Sequence, residues 1–445
     1  MLPQTDFITT LFNVHPDEIE SLETVKQEST FHYHIRLNLK RLTCPYCSEP
    51  AISHGQKEKI IHHPNVIDFD GIIHYYARRY ICKDCRRTFF EVNPFSFPGF
   101  NNSYALMDRV MKQLSQLDLS FKRIAELNHI SVTTVQYYLD SHVFIPTPSL
   151  PENLGIDELY SNMSYYDSAY LCILIDNENR YPIDVLNSRS KNHLNNHFSQ
   201  YSKDQRDKVK FVTIDMWEPY RDVALRQFKQ CKVAVDPFHV VKNLSFAFSK
   251  IRISMMNQCI YNSDGYYLLK RWHILLDKKE IDLDDEPTYN QHFLRKLNKR
   301  QLLEMIFSIS DKLLDAYNLK TAYQFFNDTA TYENAGPWLD QLIHRFQTSG
   351  IVEYDEFTRM LIHWREEIIN SFQRPHHDRK QSNALAENVN SQLRIYIALI
   401  RGSQNFTRFR KRVLYALNPK IFYAISSRLT SDKQSKKTKK KEKEF

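Results

Sequence analysis

Three acidic residues stand far apart in this chain, each inside a segment with a pattern of its own: Asp157 in NLGIDELYS, Asp215 in VKFVTIDMWEPYRD and Glu387 in SNALAENVNSQLR. The first two segments read as strands and the third as a helix. Carboxylates are the hard oxygen ligands that magnesium prefers, and two ions about 3.5–4 Å apart can clamp both the attacking and the leaving oxygen of a phosphodiester. Taken singly, each acid is an ordinary solvated surface charge. Taken together, two strand-borne carboxylates and one helix-borne carboxylate outline a two-metal phosphoryl-transfer site.

A second set of residues points to a different metal. Cys44-Pro-Tyr-Cys47 and Cys82-Lys-Asp-Cys85 are two CxxC knuckles, each able to offer two thiolates from a tight turn. That spacing predicts a ribbon-like tetrahedral zinc site, structural because four protein ligands leave no place for water. His54, His62, His63 and His74 lie nearby but are not needed as ligands.

The elements that must position these groups follow from the patterning. VNPFSFPGF, with two prolines, reads as a linker, and SYALMDRVMKQLSQLD then places Leu106, Val110, Leu114 and Leu117 at helical spacing. FKRIAEL and SVTTVQYYL, joined through Asn128-His129-Ile130, read as a helix-turn-helix. In it Ile124 and Ala125 pack the first helix, Ser131 caps the second, and Val135 and Leu139 form its inner face. His129 occupies the turn position where Gly is common. Thr133, Thr134 and Gln136 are the expected base or phosphate contacts. Arg86 and Arg87, in the basic and aromatic stretch HYYARRYICKDCRRTFF, form a further candidate DNA surface.

After the stiff IPTPSLP linker, strands are expected at about 154–160, 169–176, 181–187, 208–215 and 231–236, with helices at 191–206, 220–230 and 237–253. Asp236 and His239 follow the fifth of these strands; Asp236 is a candidate auxiliary ligand and His239 a candidate positioning group. The interval between Asp215 and Glu387 is too long for a loop, and its Leu-rich pattern predicts a helical insertion over 254–375. Trp272 within it is expected to pack. In the last helix Leu385, Val389 and Leu393 are expected to face the core, leaving Asn390 and Arg394 near Glu387 to orient DNA phosphate.

Composition sets bounds. A chain of 445 residues, 42% hydrophobic, can bury large cores in about two to four domains. It has no run of about 18 apolar residues, so no membrane is expected, and the reading is of a cytoplasmic protein. Seven Cys are too few for a disulfide scaffold, and eight Gly with no GxxxxGK[ST] exclude a phosphate-cradling loop of that type. The net charge is +8, and half of it sits in the tail Ser431–Phe445, which holds seven Lys against three acids and reads as a basic disordered end.

Four blocks resemble the DDE transposases of bacterial insertion sequences, specifically the ISL-three group: the Cys pairs, GIDELYS to RYPIDVLNSRS, TIDMWEPYRDVA to VAVDPFHVVKNL, and SNALAENVNSQLR followed by IRGSQNFTRFRKRVL. Most of the chain is covered. The family usually has Gly on both sides of the Glu-bearing segment; here those places hold Ala384 and Asn388. The resemblance implies an α+β multidomain protein with an RNase H-like α/β catalytic domain interrupted by an all-helical insertion. The expected boundaries are 1–92 for the zinc module, 101–145 for the helix-turn-helix, 152–253 and 376–430 for the two parts of the catalytic domain, 254–375 for the insertion and 431–445 for the tail. It implies Asp157, Asp215 and Glu387 as catalytic residues holding two Mg2+ or Mn2+ ions. The implied partners are double-stranded DNA, as terminal inverted repeats and as target, and a second copy of the chain or more in the assembled complex. A DNA-binding regulator descended from a transposase and a nuclease of the same fold are the alternatives.

Overall fold

The computed structural model describes residues 9–66, 69–161, 169–278, 281–375, 380–400 and 405–424. The basic tail lies outside these. The chain divides into two compact units, residues 1–147 with 391–445 and residues 148–390. The stretch expected as the second part of a catalytic domain, 376–430, is therefore divided: up to Asn390 it belongs to the second unit and from Ser391 to the first.

In the first unit, strands β1 (Ile19–Gln27), β2 (Thr30–Leu37), β3 (Leu42–Thr43), β4 (Pro50–Val66), β5 (Phe69–Cys82) and β6 (Thr88–Phe90) form one sheet in the order β1-β2-β5-β4-β3, with β6 also on β5. Tyr33, Ile35, Ile61, Ile73, Tyr75 and Ala77 close a core on one face, as period-two alternation in β2 and β5 requires. The turn after β3 carries Cys44 and Cys47, while Cys82 ends β5 and Cys85 lies in the turn between β5 and β6. The long β4–β5 hairpin thus brings two knuckles together that are distant in sequence.

Three helices follow: α1 (Tyr104–Leu114), α2 (Phe121–Leu127) and α3 (Val132–His142). Each starts on a serine, Ser103, Ser120 and Ser131, whose hydroxyl accepts an N–H two or three residues into the helix. Ile124, Ala125, Val135 and Leu139 are buried as their spacing predicts. His129 takes φ +49° in the turn, the left-handed region where Gly is usual. The C-terminal helix, Phe406–Leu417, packs on this group through Arg412. That side chain is fully buried, and its guanidinium donates to the carbonyls of Leu114 (3.2 Å), Gln116 (3.0 Å) and Leu119 (2.5 Å).

The second unit is built on a five-stranded sheet in the order β11-β10-β7-β8-β9. Strands β7 (Asn153–Tyr160), β8 (Tyr170–Asp176) and β9 (Tyr181–Leu186) form an antiparallel meander, while β10 (Phe211–Ile214) and β11 (Lys232–Val235) run parallel to β7. The β8–β9 turn is closed by Asp176, whose carboxylate accepts the N–H groups of Glu178 and Asn179. The helix expected over 191–206 is two pieces, α4 (Lys191–Ser199) and α5 (Lys203–Asp207), because Ser202 caps a new start. Helices α6 (Glu218–Gln227) and α7 (Pro237–Gln258) connect and follow the parallel strands.

The insertion, expected to be all-helical, also contains strands. Among the described residues, seven α-helices from Asp264–Arg271 to Arg365–Asn370 and a 3-10 turn at Val352–Tyr354 accompany a small hairpin, β12 (Thr288–Asn290) and β13 (Arg295–Leu297). Three-residue strands carry too little alternation to register in a sequence. This hairpin is set by its turn, where the Asn290 side chain accepts from the N–H of His292 and of Phe293 and Leu294 sits at φ +52°. Trp272 packs against the core, its indole N–H donating to the Tyr267 hydroxyl. Helix α8 (Ala384–Ile400) ends the second unit's share of the chain. None of the described helices is long and apolar enough to cross a membrane.

Candidate active site

Strand register places the first carboxylates. β10 pairs with β7 up to Thr213↔Gly155 and with β11 up to Ile214↔Val235. Continuing those pairings brings Asp215 level with Asp157 on one side and with Asp236 on the other. Three neighbouring parallel strands therefore deliver three aspartates at one level of the sheet, two of them just beyond the strand ends where a ligand can approach.

Asp157 and Asp236 are buried, at 6% and 2% exposure. Burial, then the neighbouring charges of Glu158, Asp236 and Glu387, pushes the Asp157 carboxyl up to about 7, against a hydrogen bond from the Glu158 N–H. Asp215 is likewise pushed up to about 7, by burial first and then by Glu158 and Asp157, with Arg189 opposing. Burial raises Asp236 as well, against N–H donors from Phe238 and Asn383. Such mutual repulsion is relieved only by protons or by a cation. Asp215 Oδ1 and Asp236 Oδ2 are buried without a hydrogen-bond partner among the described residues, which is the situation that a divalent ion between carboxylates resolves.

Helix α8 supplies the third expected ligand, Glu387, which is exposed in its first turn. Its buried stripe is Ala386, Val389, Leu393 and Tyr396, while Leu385 is only half-buried. Asn383, just before the helix, donates to the Ile156 carbonyl at 3.0 Å and so ties the start of α8 to β7. Among the described residues, Asp157, Asp215 and Glu387 do not form one set at single-ion distance. Glu387 instead shares a set with Asp236 and His239, whose ligand atoms lie within 4.8 Å of one another. The charge of Glu387 still acts on Asp157. This spread suits ligands divided between two ions better than ligands around one.

One of the residues expected to contact DNA is placed differently. Asn390 is buried at 3% exposure, with its amide donating to Asp157 Oδ2 at 2.9 Å and to the Glu158 carbonyl at 3.1 Å, so it faces the carboxylate rather than solvent. Arg394 is exposed further along the helix, and it belongs to the other unit. Glu158 and Arg189 were not singled out from the sequence. The Arg189 guanidinium donates to Glu158 at 2.5 Å and lies 3.7 Å and 4.4 Å from the ring centroids of Tyr170 and Trp217. Tyr220 donates to the same carboxylate at 3.3 Å. The available signal is an arginine three positions after the strand Tyr181–Leu186.

The four cysteines Cys44, Cys47, Cys82 and Cys85 come together with all sulfurs within 4.8 Å, and the pairs Cys44–Cys85 and Cys47–Cys82 are 3.6 Å and 3.4 Å apart. Four converging thiols with no other ligand type fit a closed tetrahedral zinc site. Arg87 beside them stacks over Tyr46 at 4.9 Å, and Arg86 is exposed at φ +60°. Thr133 is exposed on α3, with Thr134 and Gln136 half-exposed.

Comparison with known proteins bears on most of the second unit and on part of the first. A family model of ISL3-type DDE transposases, described as a transposase, matches residues 154–413. The transposase for insertion sequence element IS1001 of Bordetella parapertussis is 20% identical over 377 residues, covering 82% of this chain and 86% of that protein.

Proposed function

The chain belongs to the ISL3 family of DDE transposases, and from that membership we propose that it cuts DNA at the ends of an insertion sequence and joins the freed 3′ ends to target DNA, with Asp157, Asp215 and Glu387 as the metal-binding carboxylates. The observation that carries the assignment is the aligned pair Asp157 and Asp215 on neighbouring parallel strands, both raised by burial first, with the charge of Asp157 adding to the rise of Asp215. The strand order, a three-strand meander flanked by two parallel strands, supports an RNase H-like reading of this unit. Two bound Mg2+ or Mn2+ ions would stabilise the charge that develops on the attacking and leaving oxygens of an in-line displacement.

The protein's own contribution is to hold acceptors in place before substrate arrives. Asn390 fixes the Asp157 carboxylate, Asn383 fixes the approach of α8, and the N-cap of α7 fixes Asp236. Arg189, clamped between two rings, keeps Glu158 turned toward itself and adds positive charge near Asp215. Such preorganisation is where enzymes gain most in charged transition states.

In the first unit, α2 and α3 serve as the helix-turn-helix, with Thr133, Thr134 and Gln136 reading or positioning the terminal repeats. Arg86, Arg87 and Arg394 supply phosphate contacts. Zinc held by the four cysteines is structural, and the chain acts as a dimer or larger assembly on paired ends. The test is incubation of a labelled terminal-repeat duplex with target DNA and magnesium. Joined product supports transposition, hydrolysis alone means a nuclease, and binding without cleavage means a regulator.

A further inference from the structure

The set formed by Asp236, His239 and Glu387 contains an imidazole, which a purely carboxylate site does not need. We propose that these three residues bind one of the two ions directly and that His239 is a nitrogen ligand, making this position selective for Mn2+ or another first-row transition ion over Mg2+. The proposal deepens the two-metal reading above and rests on it only for the ion's use in catalysis.

Distance supports it first. Ligands about 2.0–2.2 Å from an ion stand at most roughly 4.4 Å from one another, so a set already inside 4.8 Å closes with small side-chain movements. The second support is the state of each ligand. Asp236 uses Oδ1 to cap α7 through the Phe238 N–H at 3.2 Å, while Oδ2 is buried with no hydrogen-bond partner among the described residues. A buried carboxylate oxygen left without a donor costs free energy unless a cation faces it. His239 sits one turn into the same helix, and neither ring nitrogen has a hydrogen-bond partner among the described residues. Glu387 comes from α8 and is exposed, so the set is open to solvent on that side.

Charge also favours a cation here. Lys242 and the positive end of α7 oppose one, but Asp236 and Glu387 carry two negative charges and Asp157 stands beside both. Magnesium holds oxygen ligands and water and gains little from imidazole, whereas first-row transition ions bind nitrogen well. A mixed nitrogen and oxygen set should therefore discriminate by ion type.

The test is pulsed electron paramagnetic resonance of Mn2+ bound to the full, zinc-loaded chain. The expected result is a nitrogen coupling that changes when the protein is labelled with 15N-histidine, is lost in His239→Gln and is kept in His273→Gln. By calorimetry, His239→Gln should weaken one Mn2+ site by roughly tenfold or more while changing Mg2+ binding by less than about threefold. Absence of histidine coupling in the wild-type protein at saturating Mn2+ overturns the proposal without any variant, as does coupling that persists in folded His239→Gln. Asp215→Asn keeps the coupling but should abolish DNA joining. Coupling present in a wild-type protein that never cuts terminal-repeat DNA would therefore sink the transposase reading alone.

Discussion

The amide of Asn390 on α8 donates to Asp157 Oδ2 at 2.9 Å and, through the same nitrogen, to the Glu158 carbonyl at 3.1 Å. One side chain thus locks the helix that carries Glu387 to the strand that carries Asp157, three residues from the glutamate. The position of the third carboxylate is set by a neutral hydrogen bond, which neither competes for the cation nor adds to the local repulsion.

Asn390→Ala should lower strand cleavage by about 10- to 100-fold with near-normal DNA binding, since an outer partner that orients a ligand is worth that much. Asn390→Asp should do more harm, because it adds a fourth carboxylate beside Asp157. Cleavage of a labelled repeat at equal DNA occupancy measures both. An alanine variant as active as the parent would remove Asn390 from the site.

How much of this was legible beforehand depends on range. Asp157, Asp215 and Glu387 lie in segments whose periodicity marks strand or helix, and the strand order follows from where helices intervene. The four cysteines were legible for the same reason, because CxxC spacing is local. Asn390 was misplaced because on helical spacing alone it shares a face with Glu387, and only the packing of α8 on β7 shows that this face is partly buried. The Asp236–His239–Glu387 set needed tertiary structure, since a segment after β11 meets a helix about 150 positions later. The 384–400 helix also shows how a division between units escapes a sequence: continuous helical patterning gives no sign that contacts change at Asn390.

Zinc removal gives an independent test of the first unit. Cys47→Ser or Cys82→Ser should release the metal and loosen the knuckles that join β3 to β4 and β5 to β6, because a set of three thiolates binds zinc far more weakly than four. Metal analysis of protein purified without chelators should show one zinc per chain. Protein that is fully folded and zinc-free would contradict the site.

Sequence preference and affinity should separate in the helix-turn-helix. Thr133→Ala with Gln136→Ala should reduce discrimination between terminal repeats and scrambled DNA by roughly 1–3 kcal/mol while leaving non-specific binding nearly unchanged. Arg86→Ala with Arg87→Ala should weaken both kinds of DNA alike and lower the salt dependence by about two phosphate contacts. Filter binding across a salt series reads both effects. Equal loss on both DNAs from the α3 substitutions would show that α3 makes only phosphate contacts.

The triad itself is tested by amides. Asp157→Asn, Asp215→Asn and Glu387→Gln keep side-chain shape but remove the charge that holds a cation, so each should abolish cleavage and joining while end binding persists. Combining any two should add little, since one missing ligand already disables the site. Undiminished cutting by Glu387→Gln would shift the third role to Asp236.

The buried carboxylates also make stability depend on pH in a particular direction. Asp157 and Asp215 are raised to about 7, above the ordinary value of about 3.9. In magnesium-free protein these groups keep protons that the unfolded chain has released. Their contribution is therefore fully present below about pH 4 and is lost as pH rises through about 7. Asp215→Asn removes one of the interacting charges, so the variant should match the parent near pH 4. It should become more stable than the parent above pH 7, by an amount on the order of 2 kcal/mol. Magnesium should close that gap from the other side, stabilising the parent at pH 8 much more than at pH 5 and the variant little at either, because the cation takes over the neutralising role of the protons. Denaturant unfolding of both proteins from pH 4 to 8, with and without magnesium and with zinc retained, measures the differences. A gap that does not change with pH would mean that Asp215 and Asp157 are not charge-coupled in solution.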